Sequence, residues 1–332
     1  MDFDLQRMLA PVSDDAPSGP DLSYDPDFIA LEQAAQGKPE QQFGEAIIPG
    51  EEPDWQDVRR RCEALLSRTK DLRVAVLLAR ALTRVAHVEG LSSGLELIRE
   101  MLSRYWDTLH PQLDHDDGDD PTMRLNALGS LADSTSFLRD IRNASLVSSQ
   151  HGRVLVRDIL VNAGKLPQTN GAALSEVEIE GVLRSVASEN PDPLKAAVSS
   201  ARIVVELESL LSDKGILSQA PDLRPLNDVL HSLVSPCNAA LNAEAEAGAA
   251  TPGVSATPAT RSAGGAIQNR DDAIRALDNV CKFMEQAEPS NPAPLLIRRA
   301  QRLIGRSFVE IIGELAPESL GQIQKLGGLE QK

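Results

Sequence analysis

The sequence predicts an all-α, multi-domain helical protein, and three observations support this. Aromatic residues make up only 3% of the 332 residues, so the cores must be built from Leu, Ala, Val and Ile, which suits closely packed helices. One stripe of large side chains recurs every three or four positions, which is the helical period. Its members are Leu91, Leu95, Ile98, Leu102, Tyr105 and Leu109. Ser175 followed by Glu178 is typical of a capping box at a helix N-terminus.

The N-terminal part begins with an extended segment and a short helix. Residues 11–27 are rich in Pro, Asp and Ser, which favour turns. A helix is predicted at 26–36, with Gly37 as its stop. Residues 38–54 are predicted to form a loop.

Three longer helices follow. Apolar residues at helical spacing predict a helix from Trp55, and a second at about 71–87 is apolar on most sides, so it should be central. Gly90 is expected to separate it from the third helix, which carries the stripe described above. This helix should end at His110, because a residue that precedes proline, here Pro111, disfavours the helical conformation.

Shorter elements come next. Asp120 is expected to be an N-cap with Pro121 at the first helical position. Another helix is predicted at 133–142. The alternating pattern near 152–158 predicts a short strand.

Three helices are predicted in the middle of the chain. The capping box opens a helix that runs to about Ser188, and a second runs from Pro191 to about Asp213. A third is expected at 223–242, with a kink at Pro236.

A change in composition marks the next boundary. In residues 243–266, 20 of 24 positions are Ala, Gly, Ser, Thr or Pro, which cannot bury enough apolar area to offset the entropy of ordering. Three helices are predicted after it. The expected organisation is an N-terminal helical domain at 1–145, a middle helical domain at 146–242, a flexible linker at 243–268 and a small helical domain at 269–332.

The charge distribution excludes some partners. The formal net charge is −16, and residues 1–57 contain 14 acidic and 2 basic side chains. An acidic surface repels phosphate groups, so nucleic acid and anionic lipid are not expected as partners of this part. The chain has no stretch of 18 apolar residues and no signal peptide, so no membrane insertion is expected.

The cysteines indicate a reducing environment. Cys62, Cys237 and Cys281 are far apart, and none lies in a zinc-binding spacing. Each lies in an apolar helical pattern, as a small buried side chain would. We therefore expect a cytoplasmic protein.

The acidic run at residues 114–120 raises the possibility of a metal site. Counted from Asp114, a calcium loop requires glycine sixth and glutamate twelfth, but the glycine is fifth and the twelfth residue is Leu125. A looser site that uses Asp116, Asp117 and Asp119 would suit a metal-dependent hydrolase, and this alternative stays open. Nucleophile-elbow and phosphate-loop motifs are absent, so no catalytic residue, bound metal or cofactor is predicted.

Two groups of residues are predicted to contact other proteins. Trp106 either packs in the core or, at its rim, anchors a partner together with Asp116, Asp117 and Asp119. In the last domain, arginines at helical spacing either form a solvated face or contact another subunit. The predicted interface between subunits comprises Leu296, Arg298, Arg302, Leu303, Ile304 and Ile311.

Several segments resemble a known family. Residues 11–28, 54–55, 69–75 and 104–128 resemble the ImpA-type N-terminal domain of the TssA family, which belongs to the bacterial type VI secretion system. A second set looks like the C-terminal domain of the shorter TssA class. It comprises residues 270–278, 288–300 and 308–312.

The resemblance implies a non-enzymatic, cytoplasmic assembly protein. Its C-terminal domain would form a multi-subunit ring, and its N-terminal domain would extend as an arm. The implied partners are the baseplate, the contractile tail (tube and sheath) and the membrane-anchored complex, with a baseplate-like role favoured by the compact tail. A helical adaptor outside secretion is the remaining alternative.

Overall fold

The chain divides into two compact units. The computed structural model describes residues 3–38, 41–43, 46–168, 174–216, 219–248, 274, 277–278, 280–282 and 293–303. The first unit is Met1–Pro252 and the second is Gly253–Lys332. The predicted domains 1–145 and 146–242 both lie in the first unit, whose apolar core is continuous from Met8 to Ala240.

The described part of the first unit is mostly helical, as the sequence predicts. Its helices are α1 (Leu5–Leu9), α2 (Pro26–Gln36), α3 (Trp55–Leu66), α4 (Leu72–Tyr105), α5 (Thr122–Gly129), α6 (Phe137–Asn143), α7 (Val156–Asn162), α8 (Glu176–Glu189), α9 (Asp192–Asp213) and α10 (Arg224–Gly248). Its strands are β1 (Gln41–Phe43), β2 (Ala46–Ile48), β3 (Ser145–Ser149) and β4 (Gly152–Leu155).

Side-chain capping explains where the early helices begin. Asp25, Asp54 and Asp71 are the N-caps of α2, α3 and α4, and each carboxylate accepts a hydrogen bond from a backbone N–H of the first turn. Gly37 follows α2 with a φ of 66°, a conformation that glycine adopts without strain. The predictions for 26–36 and for a helix from Trp55 are therefore confirmed.

Helix α4 is folded back on itself. Its backbone is non-helical at Ala86 and at His87, where φ is 54° and ψ is −134°. The arms 72–85 and 88–105 lie antiparallel, because position 94 faces Ala79 and position 90 faces Leu82. The predicted break at Gly90 was wrong by a few residues: position 90 is a packing site, where a Cβ would lie 2.0 Å from the Leu82 carbonyl oxygen.

The long second arm also ends earlier than predicted. Its last helical residue is Tyr105, not His110, and Trp106 is its C-cap. The peptide bond between His110 and Pro111 is cis. The backbone N–H of Leu109 still reaches the carbonyl of Tyr105, at 2.7 Å, so the chain turns tightly beyond the helix.

Helix α4 is the centre of the first unit. It packs against α3 on one side and α9 on another, and α9 in turn packs against α10. This agrees with its composition, since the buried residues of α4 include Leu72, Val74, Leu78, Leu82 and Leu95. Helix α8 packs against α10.

Two antiparallel hairpins interrupt the helical pattern. The predicted loop at 38–54 contains β1 and β2, paired from Gln41↔Ile48 to Phe43↔Ala46, so that prediction was wrong. The strand predicted at 152–158 is β4, which ends at Leu155 and pairs with β3, and the rest of that range begins α7. The three-residue strands β1 and β2 are too short to show a period of two in the sequence.

Local capping shifts two short helices. Helix α5 begins at Thr122, one residue after the predicted start, because the first helical bond runs from the Leu125 N–H to the Pro121 carbonyl; the Asp120 carboxylate accepts from the Thr122 N–H at 3.2 Å. The helix predicted at 133–142 begins only at Phe137. Asp133 instead holds a turn, accepting hydrogen bonds from the Thr135 N–H and the Ser136 hydroxyl.

The middle helices follow the sequence closely. Ser175 and Glu178 form the predicted reciprocal capping box at the start of α8, and α9 ends at Asp213 as expected. Helix α10 includes Pro236 and continues to Gly248, beyond the predicted start of the linker at 243. The rest of the predicted linker lies outside the described residues.

The second unit is described over two helical stretches. The described residues 274, 277–278 and 280–282 are helical, and α11 spans Ala293–Leu303. The Nε2 of Gln301 donates to the carbonyl of Ile274 at 3.0 Å, so the two stretches are in contact. The last of the three helices predicted after the linker, which would start at Pro317, lies outside the described residues.

Candidate functional site

Three segments that are far apart in sequence meet in a hydrogen-bonded cluster, which we call the junction. It comprises residues 18–20, 69–72 and 108–111. The Lys70 N–H donates to the Ser18 carbonyl at 2.7 Å, and the Leu72 N–H donates to the His110 carbonyl at 2.8 Å. The His110 Nε2 lies 3.0 Å from the Gly19 carbonyl, which can only accept, so this nitrogen carries the proton. The junction thereby ties the N-terminal segment to both ends of the α4 hairpin.

A buried lysine holds α1 against the junction. The Lys70 side chain is 1% exposed, and its Nζ donates to the carbonyls of Met8 at 2.9 Å and Leu66 at 2.7 Å. The Tyr105 hydroxyl donates to the next carbonyl of α1, that of Leu9, at 2.5 Å. Burial lowers the pKa of Lys70 to about 8. A cation at the end of a helix also interacts favourably with its dipole.

An arginine connects α4 to the segment before α2. Arg73 pairs with the fully buried Asp71 at 2.6 Å and donates to the Ser23 hydroxyl at 2.7 Å. Its guanidinium lies 4.7 Å from the centre of the Phe28 ring, within cation–π distance. The ion pair is therefore part of the packing of α2.

A second buried cluster surrounds the N-terminus of α3. The Arg80 guanidinium lies 4.6 Å from the Trp55 ring centre, and its Nε donates to the Asp140 carboxylate at 2.7 Å. Arg84 contacts the same carboxylate at 3.3 Å and the same ring at 5.7 Å. Two cations thus compensate the buried charge of Asp140.

The acidic loop is closed by its own hydrogen bonds. The backbone groups of Asp114 and Asp120 donate to each other's carbonyls, both at 3.1 Å. The His115 Nδ1 lies 2.5 Å from the Asp119 carboxylate. The side chains of Asp116 and Asp117 are exposed, and neither forms a cluster with the other carboxylates of the loop.

This geometry offers little to a metal ion. Within the residues that the structure describes, no three His, Cys, Asp or Glu side chains converge on a point that could hold one. Asp114 and Asp120 use their carboxylates to cap backbone N–H groups of the loop and of α5. The alternative of a metal-dependent hydrolase therefore gains no support from this loop.

Trp106 is held by residues of its own chain. Its half-buried ring lies 5.0 Å from the Arg124 guanidinium and 5.3 Å from the Lys214 ammonium. Arg124 is 1% exposed, and its nitrogens donate to the carbonyls of Trp106, Leu109 and Pro111 at 2.5, 2.6 and 2.6 Å. The structure favours a packing role for Trp106, while Asp116, Asp117 and Asp119 remain exposed.

The predicted subunit interface is described in part. Leu296 on α11 is 68% exposed, Leu295 beside it is 72% exposed, and Arg298 is exposed as well. Arg302 and Leu303 belong to α11, but their side chains are outside the described set. Ile304 and Ile311 also lie outside the described residues.

Comparison with known proteins identifies the family. Residues 9–133 match the family model described as "ImpA, N-terminal, type VI secretion system". The Type VI secretion system component TssA1 of Pseudomonas aeruginosa is 38% identical over 346 residues, covering 99% of this chain and all of that protein. The chain belongs to the TssA family of the type VI secretion system.

A solved structure agrees with the fold of this TssA-family protein. It is the N-terminal domain, including the ImpA_N region, of the TssA component from Burkholderia cenocepacia. It is 24% identical, covers 74% of this chain and 96% of its own, and superposes with a TM-score of 0.53. The mostly helical fold predicted from sequence is confirmed.

The family-model match contains the whole junction. All three junction segments lie within residues 9–133, and so do the buried Lys70 and Arg124. The runs 69–75 and 104–128 resemble the family in sequence, but no role was predicted for either side chain. The only sequence feature that could have pointed to Lys70 and Arg124 is their position next to apolar residues at helical spacing. No helix in the described part of the chain is both long and apolar enough to cross a bilayer.

Proposed function

We propose that this TssA-family protein is a non-enzymatic assembly component whose copies join in a ring through the second unit. The first unit would then contact the baseplate, the tube and sheath, and the membrane complex. The observation that carries this proposal is the 38% identity to a type VI component over 99% of the chain, because the match includes both units.

Exposed leucines support self-association of the second unit. Leu295 and Leu296 project from α11 with about 70% of each side chain exposed. Burying a leucine side chain contributes about 1.5–3 kcal/mol, so a contact between copies that covers these leucines would be stabilised by that amount for each. We extend the interface to Arg298 and Arg302, and along the sequence to Leu303, Ile304 and Ile311.

A ring gives weak contacts a collective strength. Once the first unit of one copy in the ring has bound a partner, the first units of the other copies are held at high effective concentration near further copies of that partner. This advantage requires a partner that itself presents many copies of one surface. We favour a baseplate-like role because the tail resembles that of the shorter TssA class.

The proposed function includes no catalytic reaction and no metal site. The acidic loop serves as solvated surface, and Asp116, Asp117 and Asp119 remain a proposed contact site for a partner, while Trp106 packs against Arg124 and Lys214. Cys62, Cys237 and Cys281 are free and buried, which suits a cytoplasmic location.

Light scattering tests the proposed ring. The full-length protein should form a large multimer, and Leu295→Glu with Leu296→Glu should reduce its mass strongly, since charges do not pack in an apolar contact. Val177→Glu is the matched control, because Val177 is 79% exposed in the first unit and should leave the mass unchanged. A wild-type monomer at high concentration would contradict the proposal.

Secretion in cells separates this role from that of a generic adaptor. Deleting the gene should stop export of the tube protein, and the wild-type gene should restore it. Normal export in the deletion strain would favour the adaptor outside secretion.

A further inference from the structure

We propose that Tyr24 is the anchor of an acidic docking surface that binds a partner protein with a basic face and a pocket for one aromatic ring. The acidic docking surface comprises Asp21, Tyr24, Asp27, Ile29 and Glu32. The inference rests on the proposed function only in assigning that partner to the secretion machinery.

The Tyr24 side chain packs against little of the described part of its own unit. Its side chain is 92% exposed, at the third position of a turn closed by the Asp25 N–H and the Leu22 carbonyl at 2.9 Å. It directly precedes the N-cap of α2, where an apolar residue commonly packs against the fourth helical residue. That residue is Ile29, and it is itself 43% exposed. The two side chains are thus in the positions of a hydrophobic staple but remain open to solvent.

The turn that carries Tyr24 is held rigidly. The Asp21 carboxylate accepts hydrogen bonds from the Ser23 N–H at 2.9 Å and from its hydroxyl at 2.5 Å. Arg73, anchored at the junction, donates to the same hydroxyl at 2.7 Å. On the other side, Arg68 pairs with Asp25 at 2.5 Å. A backbone fixed in this way loses little further entropy when a partner binds.

The segment that carries the exposed ring is acidic. Residues 14–36 contain six carboxylates and no basic side chain. Two arginines reach them from elsewhere: Arg68 contacts Asp25 and Asp27, and Arg73 lies 3.8 Å from Asp21. At the surface itself, the four carboxylates of Asp21, Asp25, Asp27 and Glu32 and these two arginines leave an excess of two negative charges. The side chains of Asp21 and Asp27 are 56% and 70% exposed, so their field extends into solvent.

The negative charge of the acidic docking surface determines which class of partner it can bind. A basic protein surface is attracted and oriented by the field, whereas phosphate-bearing nucleic acid or lipid is repelled. A second copy of this surface is repelled for the same reason. Tyrosine supplies a large apolar area with few rotatable bonds and a hydroxyl for one hydrogen bond, which is why it is common among residues that dominate binding. The patch therefore fits a basic protein that buries the ring.

Binding measurements on the full-length protein test the inference. The probes are the purified tube, sheath and baseplate proteins of the same secretion system, each measured separately at low and high salt. We expect one of them to bind, and Tyr24→Ala to weaken that binding at least about tenfold. Asp27→Asn with Glu32→Gln should weaken it mainly at low salt and flatten the salt dependence. Val177→Ala, at another exposed apolar position, is the control and should bind as wild type.

Three results would overturn the inference. They are no binding by any of the probes, unchanged binding by Tyr24→Ala, and a change in the multimer mass of Tyr24→Ala, which would make a second copy the occupant. Export in cells distinguishes this failure from failure of the proposed function. If deletion stops export and Tyr24→Ala restores it fully, the docking surface is wrong and the assembly role stands.

Discussion

Gly94 lies directly against Ala79, so that a Cβ at position 94 would be 2.5 Å from the Cα of Ala79 and 2.6 Å from its Cβ. The two residues face each other across the arms of α4, and no side chain separates the two backbones there. Because α4 is the centre of the first unit, this contact sets the spacing on which α3 and α9 pack.

Gly94→Ala should therefore lower the free energy of unfolding by about 2 kcal/mol, since the arms must separate or bend to admit a methyl group. Chemical denaturation followed by circular dichroism measures this. Gly181→Ala is the matched control: Gly181 lies in α8, and a methyl group there would meet nothing within 4 Å, so alanine should stabilise the protein by about 0.5–1 kcal/mol. Equal effects at the two positions would contradict the close contact.

The turn between the arms gives a second prediction. His87 has a φ of 54° and a ψ of −134°, which an L side chain rarely adopts. His87→Gly removes the steric conflict of the Cβ, whereas His87→Ala removes the imidazole and keeps the conflict. We expect the glycine variant to be more stable than the alanine variant by about 1 kcal/mol in thermal and urea unfolding. A more stable alanine variant would show that the backbone is unstrained.

The α4 hairpin also shows what sequence can predict. Apolar stripes at helical spacing located its helical arms, because they recur within one or two turns of the chain. They misplaced the break, because a glycine in a helical pattern signals equally a turn or a close contact. Gly90 and Gly94 make the contact, and the turn is made by Ala86 and His87, which no local rule favours.

The burial of charged side chains, by contrast, could not be predicted from the sequence. Lys70 and Arg124 stand in sequence beside apolar positions, as many exposed basic residues do, yet both are 1% exposed. What buries them is a set of carbonyls from segments that are distant in sequence, and such a set exists only after folding. The exposed Tyr24 was missed for a related reason, because an aromatic residue before an N-cap predicts packing.

Arg124 provides a third prediction. Its planar guanidinium satisfies three carbonyls beyond the end of α4, and a lysine offers a single ammonium in place of that fork. Arg124→Lys should leave buried carbonyls without donors and lower the free energy of unfolding by about 2–4 kcal/mol. Arg60→Lys, at a surface pair with Asp57, is the control and should change stability by less than about 0.5 kcal/mol. A similar small effect at both positions would refute the role of Arg124.

Lys70 predicts how stability depends on pH. Burial lowers its pKa from 10.5 to about 8, so between these values the folded protein has released a proton that the unfolded chain retains. The unfolded state then binds more protons, and the contribution of Lys70 to the free energy of unfolding rises with pH through this window.

Lys70→Met removes this titration along with the two hydrogen bonds to Met8 and Leu66. The stability of the wild type relative to the variant should increase by about 3 kcal/mol between pH 7.5 and 10.5, measured by urea unfolding at each pH. Using the difference between the two proteins cancels the titration of tyrosines and cysteines common to both. A difference that stays constant with pH would mean that the buried ammonium keeps its proton at the ordinary pKa, so that its carbonyl partners fully offset the burial.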